Sequence, residues 1–93
     1  MKHAGAEALA RLEPLIAALR EMPGLRERKT GIFYRGSRAF LHFHEDAAGL
    51  FADVRLTETF ERVEVTTREQ QQTLVRTIEA RVNGRGLDSR RAR

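Results

Sequence analysis

Two histidines one residue apart, His42 and His44, are the residues whose type and spacing best fit a chemical role. On a β-strand, residues i and i+2 point to the same face, about 7 Å apart. Two imidazoles on one face can bind a transition metal when a third group converges on them, and Asp53 is the natural third ligand. His42, His44 and Asp53 are therefore the candidate metal ligands. Because solvated or hydrogen-bonded histidines are the commoner case on a sheet surface, we predict no resident metal and no other cofactor.

Catalytic chemistry has little support in this sequence. The serines are Ser37, in a predicted turn, and Ser89, near the end of the chain, and there is no nucleophile-elbow pattern or phosphate-binding glycine loop. His42 and Asp53 could form a general-base pair in one strand register. A histidine opposite an aspartate across two strands is more commonly an ordinary cross-strand pair. The sequence therefore favours a protein without catalytic activity.

The histidines belong to a larger surface formed by two predicted hairpins. A Gly-Ser turn at residues 36–37 separates two alternating segments and is typical of a two-residue hairpin. If the strands pair without interruption, Phe33 lies opposite Phe40 and Ile32 opposite Leu41. One face is then aliphatic. The other, the predicted interaction face, consists of Phe33, Arg35, Arg38, Phe40, His42, His44, Phe51, Asp53 and Arg55.

The second predicted hairpin has its loop at residues 45–49 and its return strand at residues 50–56. Two registers satisfy the alternation, one with His42 opposite Phe51 and one with His42 opposite Asp53. The sequence does not choose between them. The predicted aliphatic face consists of Ile32, Tyr34, Ala39, Leu41, Phe43, Leu50, Ala52, Val54 and Leu56.

Helical periodicity occurs at both ends of the chain. Residues 4–22 carry an apolar stripe interrupted by Pro14, which either kinks one helix or begins a second one. Thr66 and Glu69 form a capping-box pattern at the start of a final helix, which we expect to stop at Asn83-Gly84.

Between the helices, residues 60–65 alternate as a β-strand does and are the predicted fourth strand. Residues 25–29 fit either an edge strand or a linker. The predicted fold is α+β and two-layered, with the order α-β-β-β-β-α and an antiparallel meander backed by two helices on one face. We expect one domain over residues 1–83 and a basic, disordered tail over residues 84–93.

Charge and composition limit the partners of this domain. The net charge is +4, but four arginines and one aspartate place +3 of it in residues 84–93, so the folded part carries only +1. The chain has no cysteine, no apolar run long enough to cross a bilayer and no contiguous signal-peptide core. We therefore expect a cytoplasmic protein without a membrane partner.

The hairpin segment resembles two groups of small bacterial domains. The turn from Arg35 to Phe40, between a helix and the strand at residues 50–56, is similar to the opening of MmcQ/YjbR-like domains. The segment from Phe40 to His44, followed by a glycine and an apolar strand, is similar to the short domain catalogued as a luciferase domain. Each resemblance covers at most the middle third of the chain. It implies a small α+β domain of uncharacterised bacterial type, with no activity and no catalytic residue to carry over.

The function predicted from the sequence is binding of a protein partner or self-association, as in a homodimer, through the interaction face. Two alternatives stay open, single-stranded nucleic-acid binding on the same face and a metal or small-ligand site at His42, His44 and Asp53. If the first prediction holds, Phe40→Ala or Phe51→Ala weakens association more than folding.

Overall fold

The computed structural model describes residues 2–82 and confirms an α+β fold built on an antiparallel meander. Within this range, the five strands between residues 25 and 64 follow one another across the sheet in chain order, and each pairs antiparallel with the next. No helix of residues 2–82 has the length and apolar character needed to cross a membrane. The elements are β1 (Lys2–His3), α1 (Ala6–Arg11), α2 (Glu13–Arg20), β2 (Leu25–Lys29), β3 (Ile32–Arg35), β4 (Arg38–Asp46), β5 (Gly49–Val54), β6 (Glu61–Glu64) and α3 (Arg68–Val82).

The meander has one strand more than the four predicted. β2 pairs with β3, so residues 25–29 are an edge strand and not a linker. The short β1 adds to the sheet beside β4, where His3 lies opposite His44. β4 is nine residues long and pairs with β3 only as far as Leu41, which leaves its far end available to β1. The N-terminal residues are thereby fixed to the centre of the sheet.

Pro14 divides the first helical region into two helices. α1 ends at Arg11 and α2 begins at Glu13, with Pro14 in its first turn. A proline there costs no hydrogen bond, because the first amide groups of a helix have no intrahelical acceptor. Leu12 connects the two helices and is fully buried.

One hydrophobic core lies between the helices and one face of the sheet. The helices contribute apolar residues at three- and four-residue spacing and the strands contribute mainly every second residue. The buried apolar residues are Ala8, Leu12, Leu15, Ile16, Leu19, Met22, Phe33, Phe40, Leu41, Phe43, Leu50, Ala52, Val54, Val65, Leu74 and Ile78.

A β-bulge at Phe40 makes the predicted register of the first hairpin wrong. Tyr34 lies opposite Ala39, as predicted, but Phe33 lies opposite Leu41 and not opposite Phe40. Phe40 is the extra residue of β4, and an extra residue on one strand shifts the in-out alternation between its two sides.

The bulge moves two of the predicted surface rings into the core. Phe33 is fully buried and Phe40 is 2% exposed, so their assignment to the interaction face is wrong. Ile32, Tyr34 and Ala39, which were expected in the core, are only half-buried. Adjacent residues Phe40 and Leu41 are both buried, an arrangement that strict alternation does not allow.

The second hairpin follows one of the two predicted registers. His42 lies opposite Asp53, and His44 lies opposite Phe51. The next strand places Arg62 opposite Asp53. We call the sheet surface turned away from the helices the open face. Its residues are Ile32, Tyr34, Ala39, His42, His44, Phe51, Asp53, Arg62 and Glu64.

The final helix begins one residue later than the sequence predicts. Thr67 and Gln70 form a reciprocal capping box, in which the Thr67 amide donates to the Gln70 side chain and the Gln70 amide donates to Thr67 Oγ1. Thr66 is not the cap, because its hydroxyl oxygen accepts a hydrogen bond from the Leu50 amide at 3.0 Å. The predicted stop at residues 83–84 and the predicted tail at residues 84–93 lie outside the described residues.

Candidate metal centre

The three histidines of this chain lie together on and beside the open face. His42 and His44 occupy alternate positions of β4, and β1 brings His3 to the position opposite His44. One nitrogen from each ring lies within 4.8 Å of the nitrogens of the other two. The chain has three histidines in 93 residues, so its entire complement of imidazoles forms one cluster.

The rings of this histidine cluster (His3, His42 and His44) are in direct contact. The Nδ1 atom of His42 lies 3.0 Å from Nε2 of His44. Ring centroids are 4.7 Å apart for His3 and His44 and 4.9 Å apart for His42 and His44. A hydrogen bond between two imidazole nitrogens requires one of them to be an unprotonated acceptor. At least one lone pair therefore points into the cluster.

An aspartate and an arginine flank the cluster. His44 Nε2 lies 3.1 Å from Asp53 Oδ2. Arg62 binds the same carboxylate in a bidentate manner, with Nε donating to Oδ1 at 2.7 Å and Nη2 donating to Oδ2 at 2.8 Å. These Arg62 hydrogen bonds lower the pKa of Asp53, so the carboxylate stays ionised beside His44. The carboxylate and the guanidinium together fix the position of the His44 ring.

Burial and like charge favour the neutral form of His42. The pKa of His42 is lowered, first because burial removes water from the ring and then because His44 lies beside it. Neutral imidazole is the form that binds metals. His44 Nδ1 is buried and has no hydrogen-bond partner among the described residues. Buried polar atoms are normally paired, so this nitrogen is an exception that requires an explanation.

An aromatic ring and a second arginine border the cluster on the side of the β5–β6 connection. The Phe60 ring centroid is 5.4 Å from that of His42, and Phe60 is 38% exposed. The guanidinium carbon of Arg55 lies 4.4 Å from the centre of the Phe60 ring. Arg55 is itself held by the sheet, because its Nε donates to the Ala39 carbonyl at 3.0 Å.

The structure brings together only part of the predicted interaction face. His42, His44, Phe51 and Asp53 are neighbours on β4 and β5. Arg35 and Arg38 face each other at the first turn, beyond Ala39 and away from the histidines. Phe33 and Phe40 are in the core, as described above, and Arg55 lies over Phe60.

Sequence reasoning missed three residues of the site, namely His3, Arg62 and Phe60. β1 contains only two residues, which is too short for a periodic signal, so nothing local places His3 on the sheet. The one available indication that His3 joins the site was that the chain has only three histidines. Arg62 lies within the predicted strand at residues 60–65, but its pairing with Asp53 depends on a register that the sequence does not fix.

Comparisons of the chain with protein-family models, with curated proteins and with solved structures found no match. The resemblance to MmcQ/YjbR-like domains and to the short luciferase-type domain therefore stays a prediction. The arguments about function rest on the geometry of the site alone.

Proposed function

We propose that this chain is a transition-metal-binding domain whose ligands are His3, His42 and His44. The observation that carries the proposal is the convergence of all three histidines, from positions 3, 42 and 44, on one cluster with ligand atoms within 4.8 Å. Chance placement of three imidazoles on a protein surface has no tendency to bring the rings together, because close imidazoles repel each other whenever they are protonated.

The spacing of the nitrogens suits a small divalent metal. Zinc binds imidazole nitrogen at about 2.0–2.1 Å, which puts tetrahedral ligand atoms roughly 3.4 Å apart. One nitrogen of each ring lies within 4.8 Å of the nitrogens of the other two rings, not far from this separation. Small rotations of the rings bring the three nitrogens into range. Imidazole ligands without thiolates fit zinc, nickel and copper, and we take zinc as the reference ion.

Asp53 is the positioning residue of this site. Arg62 donates a hydrogen bond to each of its two oxygens, and Oδ2 also lies 3.1 Å from Nε2 of His44. Because Nε2 of His44 donates to this carboxylate, the unpaired Nδ1 of the same ring is the nitrogen left to bind the metal. A carboxylate in this position orients the ring and raises its basicity. The metal then has three imidazole ligands and an open position for water or a small ligand. The sequence analysis named His42, His44 and Asp53 as candidate ligands. We propose instead that His3 is the third ligand and that Asp53 positions His44.

Calorimetric titration of zinc into the full chain tests the proposal. We expect one zinc per chain, and we expect His3→Ala, His42→Ala and His44→Ala each to reduce the affinity more than any substitution outside the cluster. Asp53→Asn should reduce it about 10- to 100-fold, the usual cost of losing an orienting partner. Glu61→Gln is the matched control, since it also removes a carboxylate from a strand of the same sheet but does not touch a histidine.

Zinc binding that is unchanged by His3→Ala would overturn the three-histidine site, because His3 is the ligand that only this geometry supplies. Equal losses in Asp53→Asn and Glu61→Gln would show that bulk charge, not ring orientation, determines the affinity. Circular dichroism of each variant without zinc separates lost ligands from lost folding.

Self-association or a protein partner stays a prediction. Two of the three rings on which it was based, Phe33 and Phe40, are buried, which leaves Phe51 and the exposed Phe60. The solution molecular weight of the chain, with and without zinc, tests it directly.

A further inference from the structure

We propose that the end of the open face nearest the first turn binds single-stranded nucleic acid, independently of the metal site. We call this region the arginine strip. It runs across the sheet from β2 to the β5–β6 connection, and it consists of Arg26, Arg28, Tyr34, Ala39, Arg55 and Phe60.

Pairing of the strands places these residues in one row. Arg26 lies opposite Tyr34, and Tyr34 lies opposite Ala39. The guanidinium carbon of Arg28 is 4.6 Å from the centre of the Tyr34 ring. On the other side of Ala39, the Arg55 side chain donates to the Ala39 carbonyl at 3.0 Å. Ala39 has only a methyl group, so it leaves room on the surface between the two aromatic rings.

The strip concentrates positive charge that no carboxylate of the described residues neutralises. Its three arginines form no ion pair within residues 2–82, where the paired arginines are Arg20 and Arg62. The Glu58 carbonyl, not its carboxylate, accepts from Arg55.

Two arginine–aromatic stacks distinguish this strip from a simple basic patch. Arg28 lies over Tyr34 and Arg55 lies over Phe60, each at less than 5 Å from the ring centre. Aromatic rings and guanidinium planes are the surfaces on which unpaired bases stack, while neighbouring arginines bind the phosphates. In a duplex the faces of the bases are covered by their neighbours and cannot stack on protein side chains. An acidic protein surface would pair with the arginines but would not require the aromatic rings. Single-stranded nucleic acid is therefore the ligand whose chemistry matches both features.

The aromatic residues of this strip differ from those of the nucleic-acid surface predicted from the sequence. The predicted platform used Phe33, Phe40 and Phe51, of which two are buried. The strip instead uses Tyr34 and Phe60. It shares no residue with the histidine cluster and adjoins it at Phe60, whose ring borders His42.

Fluorescence anisotropy of a labelled oligo-dT strand with the full chain tests the proposal, with EDTA present so that metal binding does not contribute. We expect binding at low salt that weakens as salt rises. Phe60→Ala should weaken it roughly 5- to 150-fold, the range for loss of one base stack. Arg28→Gln should lower the slope of log affinity against log salt by about 0.7, the value for one phosphate contact on a single strand.

Matched controls separate the strip from general basicity. Arg11→Gln removes an exposed arginine on the helical side and should leave binding unchanged. Replacing Arg90, Arg91 and Arg93 by glutamine tests whether residues 84–93 are responsible. Labelled duplex of the same length should bind more weakly than the single strand.

The proposal is overturned if no binding occurs at low salt, if Arg11→Gln is as damaging as Arg28→Gln, or if the substitutions in residues 84–93 abolish binding while Phe60→Ala does not affect it. Because every measurement is made without metal, failure here leaves the zinc titration unaffected, and failure of the zinc titration leaves this result unaffected.

Discussion

The two faces of the sheet differ in what their side chains do for the fold. On β4, Leu41 is fully buried against the helices, while its neighbour His42 lies half-buried on the open face. The face toward the helices holds aliphatic and phenylalanine side chains, and their removal from water stabilises the domain. The open face holds imidazoles, a carboxylate, arginines and two stacked rings.

This difference indicates which residues are explained by folding. Apolar burial accounts for every residue of the core, and no ligand is needed to explain them. The histidine cluster lies outside this core, so apolar burial does not account for it. We propose ligands as the explanation for its convergence, for the unpaired His44 Nδ1 and for the unneutralised arginines of the strip.

The largest expected effect separates the two faces by their phenylalanines. Phe40→Ala should lower the free energy of unfolding by about 3 to 5 kcal/mol, because it leaves a cavity in the core. Phe51→Ala, on the open face, should lower it by about 1 kcal/mol. Urea denaturation of both variants measures the difference. A loss in Phe40→Ala as small as that in Phe51→Ala would contradict the burial of Phe40 at the bulge and would restore its place on the predicted interaction face.

A second prediction concerns stabilisation of the open face by metal. Zinc at about 100 times its dissociation constant should raise the unfolding free energy of the chain by about 2.7 kcal/mol, since only the folded state gathers the ligands. Phe51→Ala should keep this increase and His3→Ala should lose it. Thermal unfolding with and without zinc gives the comparison. An equal increase in His3→Ala would mean that the metal binds elsewhere.

The smallest expected effect is the acid sensitivity of an ion pair on the helical side. Arg20 of α2 binds Glu27 of β2, and the hydrogen bond from Arg20 lowers the pKa of Glu27. A carboxyl group with a lowered folded-state pKa stabilises the protein above its unfolded pKa, and this stability is lost as the pH falls through the folded value.

Unfolding in urea as a function of pH measures this contribution. Glu27→Gln should flatten the loss of stability below about pH 4.5, the region where carboxyl groups titrate, relative to the wild type. Glu21→Gln, which changes an exposed glutamate at the end of the same helix, is the control and should keep the full acid dependence. An unchanged acid limb in Glu27→Gln would show that the ion pair adds nothing to folding.

Much of the fold was predictable because it follows from periodicity and turn chemistry. The alternation of β5 and the second half of β4, and the helical stripes around Leu19 and Leu74, gave the correct buried residues. The Gly-Ser turn gave the correct pairs next to it. The bulge at Phe40 was not predictable, since inserting one residue into a ladder leaves no signature in a sequence that still alternates on both sides.

The candidate site was predictable only in part. His42, His44 and Asp53 share a face because side chains alternate between the two faces along each strand, and this alternation can be read from the sequence. His3 and Arg62 join them through strand pairing across the chain, and pairing depends on register and packing rather than on local pattern. Sequence periodicity therefore identified one half of the site, and tertiary pairing supplied the other.

The central claim is that the histidines His3, His42 and His44 form one metal site, and NMR of the imidazole rings tests it most directly. With three histidines in the chain, every imidazole signal belongs to this site. The account predicts that all three ring spectra change together on addition of zinc and stop changing at one equivalent. A shift of His42 and His44 without His3, or no shift of any ring, would contradict it.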